Sequence, residues 1–232
     1  MSFLSSLIDI TYKYRFMLLN GAKFTLIVSI STIMFGLIFG ILMAMMKMSK
    51  IFILRAFANV YVEFLRGTPV LVQIFLVFYG LPIMGVDIPS IVIGGVDMSR
   101  LISGIVALTI NTTAYVCEIV RSGIQSIDRG QTEGALALGM SPTRTMYCIV
   151  LPQAMKNIFP AMGNEFITII KTSSQISVIG IAELMYVADT IRGISFKPME
   201  PLIIVALIYF VITFTISLIL KRIEKFMRRS NR

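Results

Sequence analysis

An uncharged run of apolar residues, Phe24 to Met46, constrains this chain more than any other feature. A helix that crosses the hydrocarbon core of a membrane needs about 20 consecutive, predominantly apolar residues, and this run supplies them. Four more stretches along the sequence have a comparable character. They are Gly67–Val86 with a start near Ala56, Leu101–Cys117, Asn157–Ala182 and Pro201–Leu220. We therefore predict an all-α membrane protein with five transmembrane helices.

The composition supports a membrane protein and argues against several kinds of site. Charged residues make up 14% of the chain, against roughly a quarter in soluble proteins. The sequence has no histidine, which is the commonest metal ligand and general base at neutral pH. Cys117 and Cys148 form no CxxC pair, and we interpret both as small buried hydrophobic residues. Neither a metal site nor an intramembrane enzyme is expected.

The distribution of positive charge predicts the orientation of the chain. The C-terminal tail KRIEKFMRRSNR carries six Lys and Arg residues, which are enriched in cytoplasmic segments of membrane proteins. With five spans, this tail places the N-terminus outside and the C-terminus in the cytoplasm, with 13 basic residues inside and five outside. The membrane thereby explains the net charge of +9, and no nucleic acid is expected as a partner.

The remaining segments complete a single domain over residues 1–232. Residues 1–19 alternate between apolar and polar side chains, which predicts an amphipathic helix along the outer membrane face. The stretch PIMGVDIPSIVIGGVDMSR is rich in Pro, Gly and Asp and is predicted to be an outer loop. No internal repeat is visible, which argues against an ion-coupled secondary transporter built from inverted repeats.

Residues 129–152, RGQTEGALALGMSPTRTMYCIVLP, are unusually rich in small and polar residues for this chain. Ser126 or Asp128 is placed to cap a first helix, with Glu133 in its first turn. Gly139 suits the left-handed conformation that ends a helix, and Pro142 suits the first turn of the next. We predict two short cytoplasmic helices, which either dock into a groove of a partner or form a solvated loop or an interfacial helix.

The pattern EGAxxLG followed by LPQA resembles the EAA loop of permease subunits in binding-protein-dependent ABC importers. The resemblance implies that residues 126–152 form a coupling helix between the third and fourth spans, which docks into a cytoplasmic ATPase. The ATPase-coupling residues that it implies are Glu133, Gly134, Ala135, Ala137, Leu138, Gly139 and Arg144. Gly134 stands where the family has its second alanine, so one small residue replaces another at this position.

Further stretches are similar to polar amino-acid permeases over nearly the whole chain. They are NGAKFTLIVS (20–29), YVEFLRGTPVLVQIFLVFYGLP (61–82), AYVCEIVRSGIQSIDRGQTEGA (114–135) and PAMGNEFITIIKTSSQISVIGIAEL (160–184). The likeness implies the type I ABC importer permease fold, multi-pass in the lipid of a prokaryotic cell membrane. Its implied partners are two copies of a cytoplasmic ABC ATPase, a second permease subunit in a homodimer, and an external amino-acid-binding protein.

The sequence contains no GxxxxGK[ST] phosphate loop. The chain is therefore expected to be a transporter subunit rather than an enzyme, and to need no cofactor of its own because the partner ATPase binds ATP. Ser174 and Gln175 stand where the family usually has leucine after Lys-Thr-Ser, which is a departure within the predicted substrate site.

Glu165 and Lys171 are ionisable residues inside the fourth predicted span. Such a side chain at bilayer depth costs about 2.5–3.5 kcal/mol on insertion scales, so it normally faces a cavity or a partner. On a continuous helix Glu165, Thr168 and Thr172 share one face, and Lys171 lies beside that face. The two charges either bind a zwitterion or form a structural ion pair.

In similar permeases, residues at these positions contact an amino acid held between the spans. The implied substrate-binding residues are Tyr115, Asn164, Glu165, Thr168, Lys171, Thr172 and Ser173. Glu165 is expected to attract an ammonium or a cationic side chain, while Lys171 or nearby hydroxyls receive the α-carboxylate. The expected substrate is a polar, cationic amino acid (Arg, Lys or His), with Gln, Glu or cystine as alternatives.

Three smaller patterns concern the geometry and packing of the helices. Glu63 and Arg66 are three residues apart and are predicted to form an ion pair on one helical face. Pro69 is expected to kink or begin a helix, leaving backbone carbonyls that must face protein or water. Gly36 and Gly40 form a GxxxG pair, which indicates close packing against another helix.

Overall fold

A computed structural model describes residues 3–86, 88, 90–93 and 96–229. Parts of three predicted features lie outside these residues: the first two residues of the amphipathic segment, positions 87, 89, 94 and 95 of the loop, and the tail from position 230, including Arg232. The described chain is almost entirely helical, which confirms the predicted all-α class.

Ten α-helices run along the described residues. They are α1 Phe3–Lys13, α2 Arg15–Lys47, α3 Phe52–Gly67, α4 Val70–Ile83, α5 Met98–Gln125, α6 Arg129–Ala137, α7 Pro142–Thr145, α8 Leu151–Thr172, α9 Leu184–Ser195 and α10 Glu200–Arg229. A π-helical turn, Met146–Val150, joins α7 to α8, and a 3₁₀ helix, Ser173–Ile179, extends α8. Two short antiparallel strands, β1 Val92–Ile93 and β2 Val96–Asp97, lie in the segment that was predicted to be a loop.

Three helices, α2, α5 and α10, are long and apolar enough to cross a membrane, and two bent helix pairs bring the number of candidate spans to at most five. The second predicted span is one of these pairs, because α3 and α4 meet at 112°. The fourth is the other, in which the segment Pro142–Ile179 meets α9 at 50°. Three of the predicted spans thus correspond to continuous helices, whereas the second contains a sharp bend and the fourth ends at one.

The N-terminal segment differs from its predicted boundaries. The helix α1 ends at Lys13, and the last residues of the predicted 1–19 segment already belong to α2. Ser6 and Ile10 are the buried residues of α1. Ile10 packs in an apolar cluster with residues of α2, α9 and α10, so one face of α1 is held against the helical bundle.

The helix α5 lies at the centre of the bundle, packed by α2, α3, α4 and α8. Gly36 and Gly40 of α2 allow this approach, which confirms the predicted close packing. A Cβ atom on Gly36 would lie 2.5 Å from Thr112 Cγ2, and one on Gly40 would lie 2.5 Å from Val116 Cβ. Larger residues at these two positions would force the helices apart.

The two cysteines lie in different environments. Cys117 is buried in the apolar core between α2, α3 and α5, as predicted. Cys148 is exposed, so its interpretation as a buried residue was wrong. It lies in the π-helical turn after α7, where the side chains of Tyr147 and Cys148 both face outward.

Candidate functional site

A cavity of about 120 Å³ lies between α5 and α8, next to the start of α4. Its lining residues are Val70, Leu108, Asn111, Thr112, Tyr115, Glu165, Thr168, Ile169 and Thr172. The structure thus brings together four predicted substrate-binding residues, Tyr115, Glu165, Thr168 and Thr172. It adds Asn111 and Thr112 of α5, which sequence reasoning missed because both read as ordinary polar residues inside an apolar span.

The other three predicted substrate-binding residues lie elsewhere. Asn164 and Lys171 are exposed on α8 and, with Thr168, form a polar strip at the spacing of one helical face. Ser173 is fully buried and donates a hydrogen bond to the Ile170 carbonyl oxygen at 2.7 Å. It does not line the cavity, because the helix tightens to 3₁₀ geometry at this residue and the side chain turns into the core.

Glu165 is half-buried, and its carboxylate has no hydrogen bond or ion pair to any of residues 3–86 or 96–229. It shares the lining of the cavity with Tyr115, Thr168 and Thr172. An unpaired carboxylate inside a membrane helix is costly and is normally found where it meets a ligand or water. The geometry therefore places an acidic side chain without a partner in a cavity, an arrangement that suits a positively charged group.

Two other carboxylates within the bundle, those of Glu183 and Glu118, do accept hydrogen bonds from protein. Glu183 caps α9 by accepting a hydrogen bond from the Tyr186 backbone N–H at 2.8 Å. Its second oxygen accepts from the Tyr209 hydroxyl at 2.7 Å. Glu183 is completely buried, and these bonds join α9 to α10. This residue therefore has a structural role, and the free carboxylate of Glu165 stands out against it.

Glu118 of α5 is the centre of a charged cluster that sequence reasoning missed. Lys47 Nζ at the end of α2 donates to Glu118 Oε1 at 2.6 Å, and Arg121 Nη2 donates to Oε2 at 2.7 Å. Arg66 Nη1 lies 3.8 Å from the same Oε2. The predicted pair between Glu63 and Arg66 is therefore wrong: Arg66 turns inward to Glu118, while Glu63 is exposed on α3.

The cluster adjoins the cavity through Tyr115, which lies one turn before Glu118 on α5. The Arg66 guanidinium lies 5.8 Å from the centre of the Tyr115 ring. The spacing of Glu118 and Arg121 was the one sequence signal for this charged cluster, since residues three apart share a helical face. Lys47 is 71 positions from Glu118, so its contribution depends on the packing of α2 against α5.

The bend between α3 and α4 is stabilised by Gln73. Thr68 and Pro69 leave the helix, and Gln73 Nε2 reaches back to the Leu65 carbonyl oxygen at 2.8 Å and the Thr68 carbonyl oxygen at 3.1 Å. The carbonyl groups expected to be freed before Pro69 are thus satisfied by protein. Gln73 Oε1 accepts a hydrogen bond from Asn111 Nδ2 at 2.9 Å, which connects the bend to the cavity.

The segment 126–152 begins with a hairpin that the sequence predicted in part. Asp128, one of the two candidate caps, is the N-cap of α6 and accepts from the Gly130 N–H at 2.7 Å. Gly139 has φ +80°, and the Met140 N–H donates to the Ala135 carbonyl oxygen at 3.1 Å across it. This is the Schellman arrangement that ends helices, and it explains why glycine occupies position 139.

Two details of this hairpin differ from the prediction. Glu133 is the fifth residue of α6 rather than a first-turn residue, because the helix begins at Arg129. Pro142 does lie in the first turn of α7, capped by Ser141, but α7 is not a separate short helix. It continues through the π-helical turn into α8. The segment 126–152 is therefore joined by an unbroken helical stretch to α8, which forms one wall of the cavity.

The predicted coupling residues form an exposed surface around this hairpin. Exposed members are Glu133, Gly134, Ala137, Leu138, Gly139 and Arg144, whereas Ala135 is buried beneath them. Leu138 is 87% exposed, and Leu136 and Tyr147 add further exposed apolar surface. Exposed apolar side chains grouped together at a polar surface are characteristic of protein docking sites.

The chain is similar to known transport proteins over nearly its whole length. Residues 36–229 match the family model described as binding-protein-dependent transport system inner membrane component. A Rickettsia conorii protein, provisionally named a glutamine transport system permease, is 37% identical over 93% of this chain and 95% of its own length. The arginine transport system permease protein of Bacillus subtilis is 36% identical, with coverage of 92% and 94%.

Solved structures show the same fold. A crystal structure of an amino acid ABC transporter with histidines is 41% identical, with a TM-score of 0.86, and the match covers 97% of this chain and 98% of that one. The permease of a methionine ABC transporter in an inward-facing conformation shares the fold at 19% identity and a TM-score of 0.73. This chain belongs to the binding-protein-dependent transport system inner membrane components, as a permease subunit of a bacterial amino-acid ABC importer.

Proposed function

We propose that the chain moves a cationic amino acid (arginine, lysine or histidine) into the cell, with Glu165 binding the positively charged group. The observation that carries this proposal is the unpaired carboxylate of Glu165 in a cavity whose lining includes hydroxyl-bearing and amide residues beside aliphatic ones. A cationic group placed there gains a charge-assisted hydrogen bond, which is stronger than a bond between neutral groups. The cavity holds no second acid to compete for that group.

The exposed polar strip of α8 supports a substrate pathway along this helix. Asn164, Thr168 and Lys171 are exposed, and polar side chains at membrane depth normally face a water-filled cavity or a neighbouring subunit. We propose that a second copy of this chain faces the strip and completes the pathway. Lys171 lies six residues beyond Glu165, about 9 Å along the helix axis. An extended arginine or lysine can span this length, with its α-carboxylate at Lys171.

The names of similar proteins divide between this substrate class and its nearest rival. One similar permease is named for arginine, and a similar solved transporter was crystallised with histidines. Several other similar permeases, from Rickettsia species and Bacillus subtilis, are provisionally named for glutamine. Glutamine is therefore the second candidate, since Glu165 also suits the α-ammonium of a neutral amino acid. Glutamate is a weaker candidate because its side-chain carboxylate would bring negative charge near Glu165. Cystine has no net charge and remains a further alternative, since it also offers ammonium groups to Glu165.

Our proposed arrangement in the membrane has five spans, with the N-terminus outside and the C-terminus in the cytoplasm. Two ABC ATPases dock at the 126–152 segments and bind the ATP, so the permease itself needs no cofactor. An external binding protein delivers the amino acid to the opposite face. Closure of the ATPases favours the outward-open state because they bind the two states of the permease with different affinity. The continuous helix from Pro142 to Thr172 supports direct transmission to the cavity.

The proposal is tested by equilibrium binding of labelled amino acids to the purified permease–ATPase complex in nanodiscs. The panel contains arginine, lysine, histidine, glutamine, glutamate and cystine, and Glu165→Gln is compared with the wild type. We expect arginine binding to fall about 10–100-fold, since a hydrogen bond to a charged group is lost. Glutamine binding should change less than arginine binding.

The matched control is Glu63→Gln, which removes the same charge from an exposed position on α3 outside the cavity. It should leave the affinity for every amino acid unchanged. Equal losses for arginine and glutamine in Glu165→Gln would assign Glu165 to the α-ammonium and favour glutamine transport. Unchanged arginine binding in Glu165→Gln would show that the cavity is not the substrate site.

A further inference from the structure

The side-chain amide of Gln73 has a fixed orientation. Its Nε2 lies 2.8 Å from the Leu65 carbonyl oxygen, 3.1 Å from the Thr68 carbonyl oxygen and 2.8 Å from Thr68 Oγ1. Backbone carbonyl oxygens accept hydrogen bonds and never donate them. The Thr68 hydroxyl already donates its hydrogen to the Phe64 carbonyl oxygen at 2.9 Å. Three acceptors on one side therefore require that the nitrogen of Gln73, and not its oxygen, face the bend.

This orientation determines the orientation of Asn111. Gln73 Oε1 must face away from the bend, and it is an acceptor that pairs with Asn111 Nδ2 at 2.9 Å. Both side chains are nearly inaccessible, at 3% exposure for Gln73 and 7% for Asn111. A reversed Asn111 amide would set two oxygen acceptors against each other in the core, a buried mismatch that costs about 1–3 kcal/mol. The nitrogen of Asn111 therefore faces Gln73.

The oxygen of Asn111 is then turned away from Gln73. Asn111 lines the cavity that contains Glu165. Among residues 3–86 and 96–229, none donates a hydrogen bond to Asn111 Oδ1. This oxygen is not completely enclosed by protein, so a ligand or water can reach it. Because Asn111 lines the cavity, its Oδ1 is free to accept a hydrogen bond from a group held there. The cavity thus has a second candidate acceptor besides the Glu165 carboxylate.

We propose that Asn111 is a specificity-determining residue that presents its carbonyl oxygen to the substrate, and that Gln73 is the positioning residue that imposes this orientation. The inference rests on the proposed function and deepens it. A guanidinium or ammonium group carries only donors and pairs with both Asn111 Oδ1 and Glu165. A neutral ureido or amide group also carries a carbonyl oxygen, which finds a like acceptor at one of these positions and binds less tightly.

The test compares arginine with citrulline, its neutral analogue, by equilibrium binding to the permease–ATPase complex. The variants are Asn111→Ala, Gln73→Met and the double variant. We expect the arginine-to-citrulline affinity ratio to fall about 3–10-fold in Asn111→Ala, the value of one hydrogen bond. Gln73→Met keeps the side-chain length but frees the Asn111 amide to rotate, so it should lower the ratio about 2–5-fold.

The double variant separates positioning from a general loss of structure. If Gln73 acts through Asn111, Gln73→Met has no further effect on the ratio once Asn111 is alanine, since contacting residues in one network are not additive. A wild-type complex that does not prefer arginine to citrulline would overturn the proposed function itself. If the wild type does prefer arginine, two results would overturn the role of the pair. One is an unchanged arginine-to-citrulline affinity ratio in either single variant. The other is a ratio that Gln73→Met lowers as much in the Asn111→Ala background as it does alone.

A second substitution keeps the test decisive if Gln73→Met does not assemble. Gln73→Glu also loses the donor to the bend but retains an acceptor opposite Asn111 Nδ2, so the orientation of Asn111 is preserved. The arginine-to-citrulline ratio should not fall in this variant. A fall as large as that of Asn111→Ala would show that the acceptor on Gln73 does not position Asn111.

Discussion

Lys47 Nζ donates to Glu118 Oε1 at 2.6 Å, which joins the last turn of α2 to the interior of α5. The Lys47 side chain is 11% exposed and that of Glu118 17%, so the contact is largely withdrawn from solvent. Arg121 and Arg66 approach the other carboxylate oxygen. One negative charge therefore balances positive charges from three helices, close to the cavity residue Tyr115.

Glu118→Gln should destabilise the permease because it leaves Lys47 without a counter-charge. Removing one partner from a fully buried ion pair costs about 3–5 kcal/mol, and the partial exposure here places the expected loss near 2–3 kcal/mol. For a chain of this size, that corresponds to a fall of about 5–10 °C in the melting temperature. The measurement is thermal unfolding of the detergent-purified complex followed by intrinsic tyrosine fluorescence.

Two further variants test the cause of this loss. Glu63→Gln removes an acid from the exposed face of α3 and should leave the melting temperature within about 2 °C of the wild type. Adding Lys47→Met to Glu118→Gln removes the unpaired charge and should recover part of the loss. A double variant less stable than Glu118→Gln would show that Lys47 contributes through contacts other than this ion pair.

Gly36→Ala should separate α2 from α5. The new Cβ would lie 2.5 Å from Thr112 Cγ2 and 3.1 Å from Thr112 Cβ, and overpacking of this kind costs about 1–3 kcal/mol. Thr112→Ser removes the nearer methyl group and should restore part of the stability in the Gly36→Ala background. The control is Gly80→Ala in α4, where no atom lies within 4 Å and the helix should gain slightly. Equal melting temperatures for Gly36→Ala and Gly80→Ala would contradict the packing.

Local chemistry was sufficient to predict several features of this chain. The 3.6-residue period places Glu165, Thr168 and Thr172 on one face of α8, and all three line the cavity. Gly139 adopts the left-handed conformation that glycine favours, and Pro142 lies in the first turn of α7. These features depend on neighbours within one helix or one turn, so a single sequence contains the information they need.

The remaining features depend on contacts between distant segments. Gln73 and Asn111 are 38 positions apart, and their pairing exists because α4 packs against α5. The 112° bend between α3 and α4 interrupts a stretch whose apolar composition reads as one continuous span. Ser173 is buried at the point where α8 changes to 3₁₀ geometry, and this change alters the face that each later side chain occupies. Pro69 indicated a kink or a helix start at the bend between α3 and α4, but composition and periodicity carry no signal for its angle or for the other two rearrangements.

Leu138→Asp should weaken docking of the ABC ATPase while leaving the permease folded. The Leu138 side chain is 87% exposed, so the permease alone loses little when it is replaced. Full burial of a leucine in a partner's cleft contributes about 1.5–3 kcal/mol, which corresponds to about 10–100-fold in affinity, and a carboxylate would be still less favourable there. The measurement is the dissociation constant of the purified ATPase for permease in nanodiscs.

The matched control for this surface is Phe196→Asp, which changes an equally exposed apolar residue in the connection between α9 and α10. In the proposed orientation this connection lies on the outer side of the membrane, so the ATPase affinity should not change. Both variants should retain the wild-type melting temperature. If Leu138→Asp binds the ATPase as tightly as the wild type does, the hairpin ending at Gly139 is not the docking surface. Equal weakening by both variants would instead contradict the proposed orientation of the chain.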